Sequence, residues 1–185
     1  GVTVNDVMLA LVAGSLRDYL QQWHDLPEAP LRTFIAVSLR EDGDEEFSNK
    51  VTTAAVTLAT DLEDPEQRLR AIAGDSVSAK DGARKGSKGA MEIQQMLPPI
   101  LNTALAYIAP PDKIASLAGA NLLVSNVRAS SSKMYLGGAR VEAIYPISIV
   151  GPGLGINVTC IGYADEIDVG ITLAPELFPS QWDIA

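Results

Sequence analysis

Two runs near the C-terminus constrain the fold more than any other feature. In residues 166–173, Ile167, Val169, Ile171 and Leu173 alternate with Glu166, Asp168, Gly170 and Thr172. In residues 156–161, Ile156, Val158 and Cys160 alternate with Asn157, Thr159 and Ile161. A period of two sends successive side chains to opposite sides of a pleated strand. Both runs therefore read as antiparallel strands with one buried face and one facing water or a groove. Residues 151–155 (Gly-Pro-Gly-Leu-Gly) and Ala164-Asp165 supply the turns. Another apolar run, 121–124, ends in Ser125-Asn126-Val127, and after a Gly137-Gly138 break residues 141–150 read as one more strand.

Such a sheet needs helices to cover its apolar face. Residues 4–23 provide the first, with Val4, Val7, Met8, Leu11, Val12, Leu16, Tyr19 and Leu20 at three- and four-residue spacing. Thr3 and Asp6 have the spacing of a capping box. Residues 31–39 and 50–58 read as strands separated by a solvated acidic loop, 41–46, which without histidine is a poor metal site. Asp64-Pro65 opens a helix predicted to run to about Lys80. Residues 78–89 mix glycines with Lys80, Arg84, Lys85 and Lys88 and read as a mobile basic loop. Residues 91–109 read as helical around Pro98-Pro99, and 112–117 as a short helix. The expectation is one domain over residues 1–185, α/β (α+β), with a two-layer mixed sheet flanked by helices.

The net charge of −9 argues against a general nucleic-acid binder. The single cysteine, Cys160, reads as a small core residue. Residues 93–109 are the nearest approach to a membrane span, but the proline pair, Gln94, Gln95 and Asn102 interrupt them. A buried or groove-lining helix is preferred there over an interfacial one.

Chemistry is sparse. His24, the one histidine, lies between Trp23 and Asp25 at a helix end, a structural position. No Ser-His-Asp set, zinc cluster or P-loop can be assembled, and the glycines of 151–155 precede a strand where a phosphate loop needs a helix. Two features remain. Ser125 and Asn126 could hydrogen-bond a carbonyl or amide-bearing ligand, and the basic stretch from Lys80 could hold phosphates. On the residues alone, local turn bonding and a solvated loop are the better explanations.

Several blocks, in order, change that balance. They are Thr3-Val4-Asn5-Asp6-Val7, Val37-Ser38-Leu39-Arg40, Ser48-Asn49, Asp64-Pro65 with Arg68-Leu69, Ser125-Asn126-Val127, Leu136-Gly137-Gly138-Ala139 and Tyr145-Pro146-Ile147-Ser148. Together they resemble the C-terminal half of the bacterial wax ester synthase/diacylglycerol acyltransferase family, over nearly the whole chain. The resemblance implies one half of a chloramphenicol-acetyltransferase-like two-domain fold with a tunnel between the halves. The family's His-His-x-x-x-Asp-Gly motif belongs to the N-terminal half and is absent here. The implied parent enzyme makes triacylglycerol or wax esters from acyl-CoA and diacylglycerol or a fatty alcohol. It needs no cofactor, because acyl-CoA is a substrate.

The resemblance also implies roles. Ser125 and Asn126 would contact the thioester or pantetheine arm, Asn49 would face the tunnel, and Lys80 would meet the CoA phosphates. Asn5 and Asp6 would hold the first helix in place, and no catalytic residue is expected in this chain. The implied location is cytoplasmic, with contact at the inner membrane or lipid inclusions left open. One departure stands out: the family continues Ser-Asn-Val with Pro-Gly-Pro, whereas this chain has Arg128-Ala129-Ser130. The alternatives are a non-catalytic lipid- or acyl-carrier-binding module and an acyltransferase for another hydroxyl acceptor.

Overall fold

A computed structural model describes residues 1–39, 51–96, 119–151 and 153–184. Helix α1 spans Val4–Trp23 and α2 spans Pro65–Met96. The strands are β1 (Arg32–Ser38), β2 (Val51–Thr57), β3 (Leu122–Arg128), β4 (Tyr135–Leu136), β5 (Ala139–Arg140), β6 (Ile156–Tyr163) and β7 (Glu166–Leu173). Five of them form a mixed sheet in the order β2-β1-β3-β6-β7. β3 is parallel to both β1 and β6, whereas β1–β2 and β6–β7 are antiparallel.

One face of this sheet carries Ile35, Val37, Val56, Leu122, Val124, Val158 and Cys160, all buried together with Leu9, Ala13 and Leu16 of α1 and Ile72 of α2. The expected two-layer α/β architecture is thus present. Several expectations need correction, however. β6 is buried on both faces from Ile156 to Cys160, because it lies between β3 and β7 and is covered above and below. Helix α2 does not end near Lys80. It runs through the basic stretch, since Ala79 and Ala83 pack on the core and offset the helix cost of Gly82 and Gly86, about 1 kcal/mol each.

α1 is rotated from its expected face. Its buried stripe is Asp6, Leu9, Ala13, Leu16 and Tyr19, and Val4 and Leu11 are each 60% exposed. The small side chains of Ala13 and Gly14 admit α2, whose Arg68 guanidinium reaches to 3.5 Å from where a Cβ on Gly14 would sit. Asp64 caps α2 by accepting from the Gln67 N–H at 2.7 Å, with Pro65 at the first helical position as expected.

Residues 141–150 are not a strand. They form an extended strap across the face opposite the helices, where two of their N–H groups meet side chains of β7. Ile144 donates to Asp168 Oδ2 at 2.8 Å and Ser148 to Thr172 Oγ1 at 3.4 Å. The strap leaves from a tight hairpin, β4–β5, whose two turn residues Gly137 and Gly138 have φ of +58° and +85°. The hairpin base is pinned by Tyr163, fully buried, whose hydroxyl accepts from Met134 N–H at 2.8 Å and donates to Val141 O at 2.7 Å. Tyr163→Phe is expected to cost about 1–2 kcal/mol of stability, because both groups lose a partner inside the protein. Urea denaturation would check this, and an unshifted midpoint would mean that the hairpin is held by other contacts.

Candidate functional site

β1 and β3 are ladder partners only at Thr33–Leu122 and Phe34–Leu123. β1 then continues with β2 to Ser38, and β3 with β6 to Arg128. From Val124 onward β3 therefore has no ladder partner on its β1 side among the described residues. A seam opens inside the sheet, and Ser125 lies on it. Ser125 is not at the strand end, as the sequence had implied, but within β3, because pairing with β6 carries the strand three residues further.

Strand alternation also separates the two predicted ligands. Ser125 is half-buried on the open face, in register with Thr159. Asn126 is exposed and points the opposite way, in register with Cys160. Neither side chain has a hydrogen bond among the described residues. Next to Ser125 is a polar group that the sequence reading did not single out. Ser148 Oγ and Thr159 Oγ1 are 2.6 Å apart, Thr159 donates to Asn157 Oδ1 at 3.1 Å, and Asn157 Nδ2 donates to the Ile149 carbonyl at 3.0 Å. The signal was present in the sequence as the polar half of the 156–161 alternation. Joining it to Ser125 required the parallel register with β3.

Without the family's prolines, Arg128 ends β3, the Ala129 N–H extends the pairing by donating to Gly162 O at 2.9 Å, and Ser130 leads into a bend at residues 131–132. Ser130 Oγ donates to Ser132 O at 2.7 Å and accepts from Ser132 N–H at 3.2 Å. The Ser130 carbonyl accepts from Ala164 N–H at 2.8 Å. Hydrogen bonds thus replace ring stiffness next to the seam.

At a second place, between α1 and α2, the charge of Lys80 acts on Asp6. The capping box is formed: Asp6 N–H donates to Thr3 Oγ1 at 3.3 Å, and Asp6 Oδ2 accepts from Thr3 N–H at 2.9 Å and from its hydroxyl at 2.8 Å. Asp6 is 3% exposed, and burial alone pushes its carboxyl up. The Thr3 bonds, the Lys80 charge and the Ser76 hydroxyl outweigh that and hold it below the usual carboxylate range. Asp6 Oδ1 and Ser76 Oγ do not meet hydrogen-bond geometry and stay unpaired among the described residues. Asn5 is half-buried one residue earlier, without a side-chain hydrogen bond among the described residues. Asn49 and its neighbour Ser48 lie outside the described residues, as do 41–46 and 97–117.

Burial pushes the Cys160 thiol up, which keeps it protonated in the core. His24 ends α1, its N–H donating to Leu20 O at 2.9 Å and its ring 6.0 Å from Tyr19. Among the described residues no group of His, Cys, Asp and Glu could hold a metal ion, and no helix is long and apolar enough to cross a membrane. An apolar pocket of about 300 Å³ lies between α1 and the β6–β7 pair, lined by Met8, Leu11, Val12, Ile156, Val158 and Ile171 among others. It is on the helix side of the sheet, away from Ser125.

Comparison with known proteins agrees with the blocks of sequence that lie on the seam, the strap and the capping box. The family described as the WS/DGAT C-terminal domain matches residues 47–185. A Mycobacterium tuberculosis protein named as a diacylglycerol O-acyltransferase is 33% identical over all of this chain and 37% of its own length. The O-acyltransferase WSD of Acinetobacter baylyi is 34% identical over 99% of this chain and 39% of its own length. The solved wax ester synthase/diacylglycerol acyltransferase from Marinobacter aquaeolei VT8 superposes with a TM-score of 0.70 at 29% identity, covering all of this chain and 41% of that one. The chain thus spans about two fifths of the length of these relatives, and it belongs to the family of the wax ester synthase/diacylglycerol acyltransferase C-terminal domain.

Proposed function

We propose that this chain is the C-terminal half of an acyl-CoA-dependent O-acyltransferase that makes triacylglycerol or wax esters from acyl-CoA and diacylglycerol or a fatty alcohol. It forms one wall of the substrate tunnel and docks on a His-bearing N-terminal half. The observation that carries this reading is the seam between β1 and β3, with the unbonded Ser125 on its edge. An extended arm bearing amides and a thioester suits such a seam, because the free backbone groups of β3 complement its own amides. Ser125 donates a hydrogen bond from its hydroxyl to the thioester oxygen as negative charge develops there, and keeps its proton. A histidine of the other half takes the proton from the acceptor alcohol. The alcohol oxygen then bonds to the acyl carbon, the carbon–sulfur bond breaks, and the thiolate leaves and is protonated.

Asn126, exposed on the other face of β3, and Asn49 are assigned to the tunnel wall. Lys80 serves the CoA phosphates only with the charge that Asp6 leaves uncompensated. Acyl-CoA is the substrate, and no cofactor enters the scheme. The protein works from the cytoplasm, at the periphery of membranes or lipid inclusions where its substrates reside.

In the full-length enzyme Ser125→Ala is expected to lower kcat/KM about five- to thirtyfold, roughly 1–2 kcal/mol for one lost hydrogen bond. Steady-state kinetics would check this, and unchanged kinetics would leave Ser125 as a fold residue only. The chain by itself gives no ester with any alcohol, and turnover by it alone would refute a divided site. The apolar pocket on the helix side favours a second reading, a non-catalytic lipid- or acyl-carrier-binding module. Stoichiometric fatty-acyl binding by the full-length protein without turnover would select that reading.

A further inference from the structure

The strap at residues 141–150 carries an apolar ridge that the rest of the described protein does not use. Tyr145, Ile147 and Ile149 are 75%, 92% and 88% exposed. They alternate with Ile144, Pro146 and Ser148, which are turned to the sheet. At the start of the strap, Tyr135 and Leu136 on the hairpin are 68% and 79% exposed. The amides of Ile144 and Ser148 are taken by Asp168 and Thr172. Those of Tyr145, Ile147 and Ile149 have no hydrogen-bond partner among the described residues. The segment is therefore an extended chain with alternate apolar side chains and free backbone donors, the form of a strand that lacks its sheet.

We propose that the strap is an inter-half strand: residues 145–149 pair with a strand edge of the upstream half of the same polypeptide and seat Tyr145, Ile147 and Ile149 in it. This inference rests on the proposed two-half enzyme. Two observations favour that occupant. The relatives extend well beyond the part this chain matches, which spans 37–41% of their length. The free N–H groups call for carbonyl acceptors, which a sheet edge provides and hydrocarbon does not. Charge also weighs against a lipid surface. Near the strap Lys133 and Arg140 are offset by Glu166 at 3.7 Å and Glu142 at 2.6 Å, and the whole chain is at −9, so among the described residues no uncompensated basic patch adjoins the strap to attract anionic headgroups. The strap borders the polar group beside Ser125, so its pairing would fix the rim of the seam relative to the other half.

The test is residue-resolved amide hydrogen exchange on the full-length protein. Tyr145, Ile147 and Ile149 amides are expected to exchange on the order of 100-fold more slowly than free amides, the protection of paired strands, at every protein concentration and without lipid. Ile147→Pro, which removes one donor, should abolish protection at Tyr145 and Ile149, and Ile147→Thr, which keeps the donor, should retain it. Unprotected exchange at all three amides overturns the proposal. So does protection that appears only with phosphatidylglycerol–phosphatidylethanolamine vesicles, which assigns the ridge to a lipid surface, or only at high concentration, which assigns it to a second copy. Protected amides in an enzyme without acyltransferase activity would leave the inter-half strand standing and remove the catalytic reading. Full activity with unprotected amides would do the reverse.

Discussion

Gly170→Val is expected to destabilise the protein by about 3 kcal/mol, at the upper end of overpacking penalties. Any Cβ at this position would overlap the carbonyl group of Pro146 in the strap. The obstacle is backbone, held on both sides by the Asp168 and Thr172 bonds, and cannot swing away like a flexible side chain. The strap must then lift from β7, so Ser148 leaves Thr159 and the polar group beside Ser125 is lost. Activity of the full-length enzyme should fall together with the urea midpoint. A variant of wild-type stability would mean that the strap does not lie against β7 in solution.

Asp6→Ala is expected to cost about 2–3 kcal/mol at neutral pH. Thr3 Oγ1 can still cap the residue-6 N–H, but the Thr3 N–H and hydroxyl lose a charged acceptor, about 1.5–3 kcal/mol. The pH dependence gives the role a sharper signature. The Asp6 carboxyl is held below its ordinary value in the folded protein, so the unfolded chain takes up its proton first as pH falls. Its ionic contribution is complete above the unfolded value, about pH 4, and is lost as pH drops through the folded value. The difference between wild type and variant, read from denaturation midpoints, should therefore be largest near pH 7 and shrink below about pH 4. A difference independent of pH would assign the effect to packing and not to charge. Asp6 thus caps the start of α1 through Thr3, with the charge of Lys80 on α2 near enough to favour its ionised form.

Much of the fold was legible because it depends on local rules. The Thr3–Asp6 box and Pro65 after Asp64 are fixed by local capping and are found where expected, and the alternation in 166–173 gives the expected strand, but its faces are reversed: Ile167, Val169 and Ile171 are exposed, while Asp168, Gly170 and Thr172 are half-buried on the strap side. What failed was decided at longer range. Glycines at 82 and 86 read as a loop, but Ala79 and Ala83 pack on the core and keep α2 helical. Residues 141–150 have a strand's composition, yet Asp168 and Thr172 compete for their amides and hold them across the sheet.

The candidate site divides in the same way. Sequence alone determined that a small polar pair adjoins an apolar run, that the His-His-x-x-x-Asp-Gly motif is absent from it, and which family its blocks resemble. Whether Ser125 and Asn126 act together was beyond it, since that depends on which face each takes. Tertiary structure decided this through the register of β3 on β6, which puts Ser125 beside Thr159 and sends Asn126 away. It alone decided that β1 and β3 part after two paired positions, leaving backbone groups free in the middle of a sheet. Side-chain periodicity records which face a residue takes, but strand partners are chosen by contacts between residues far apart in the chain, and one strand's sequence does not carry that choice.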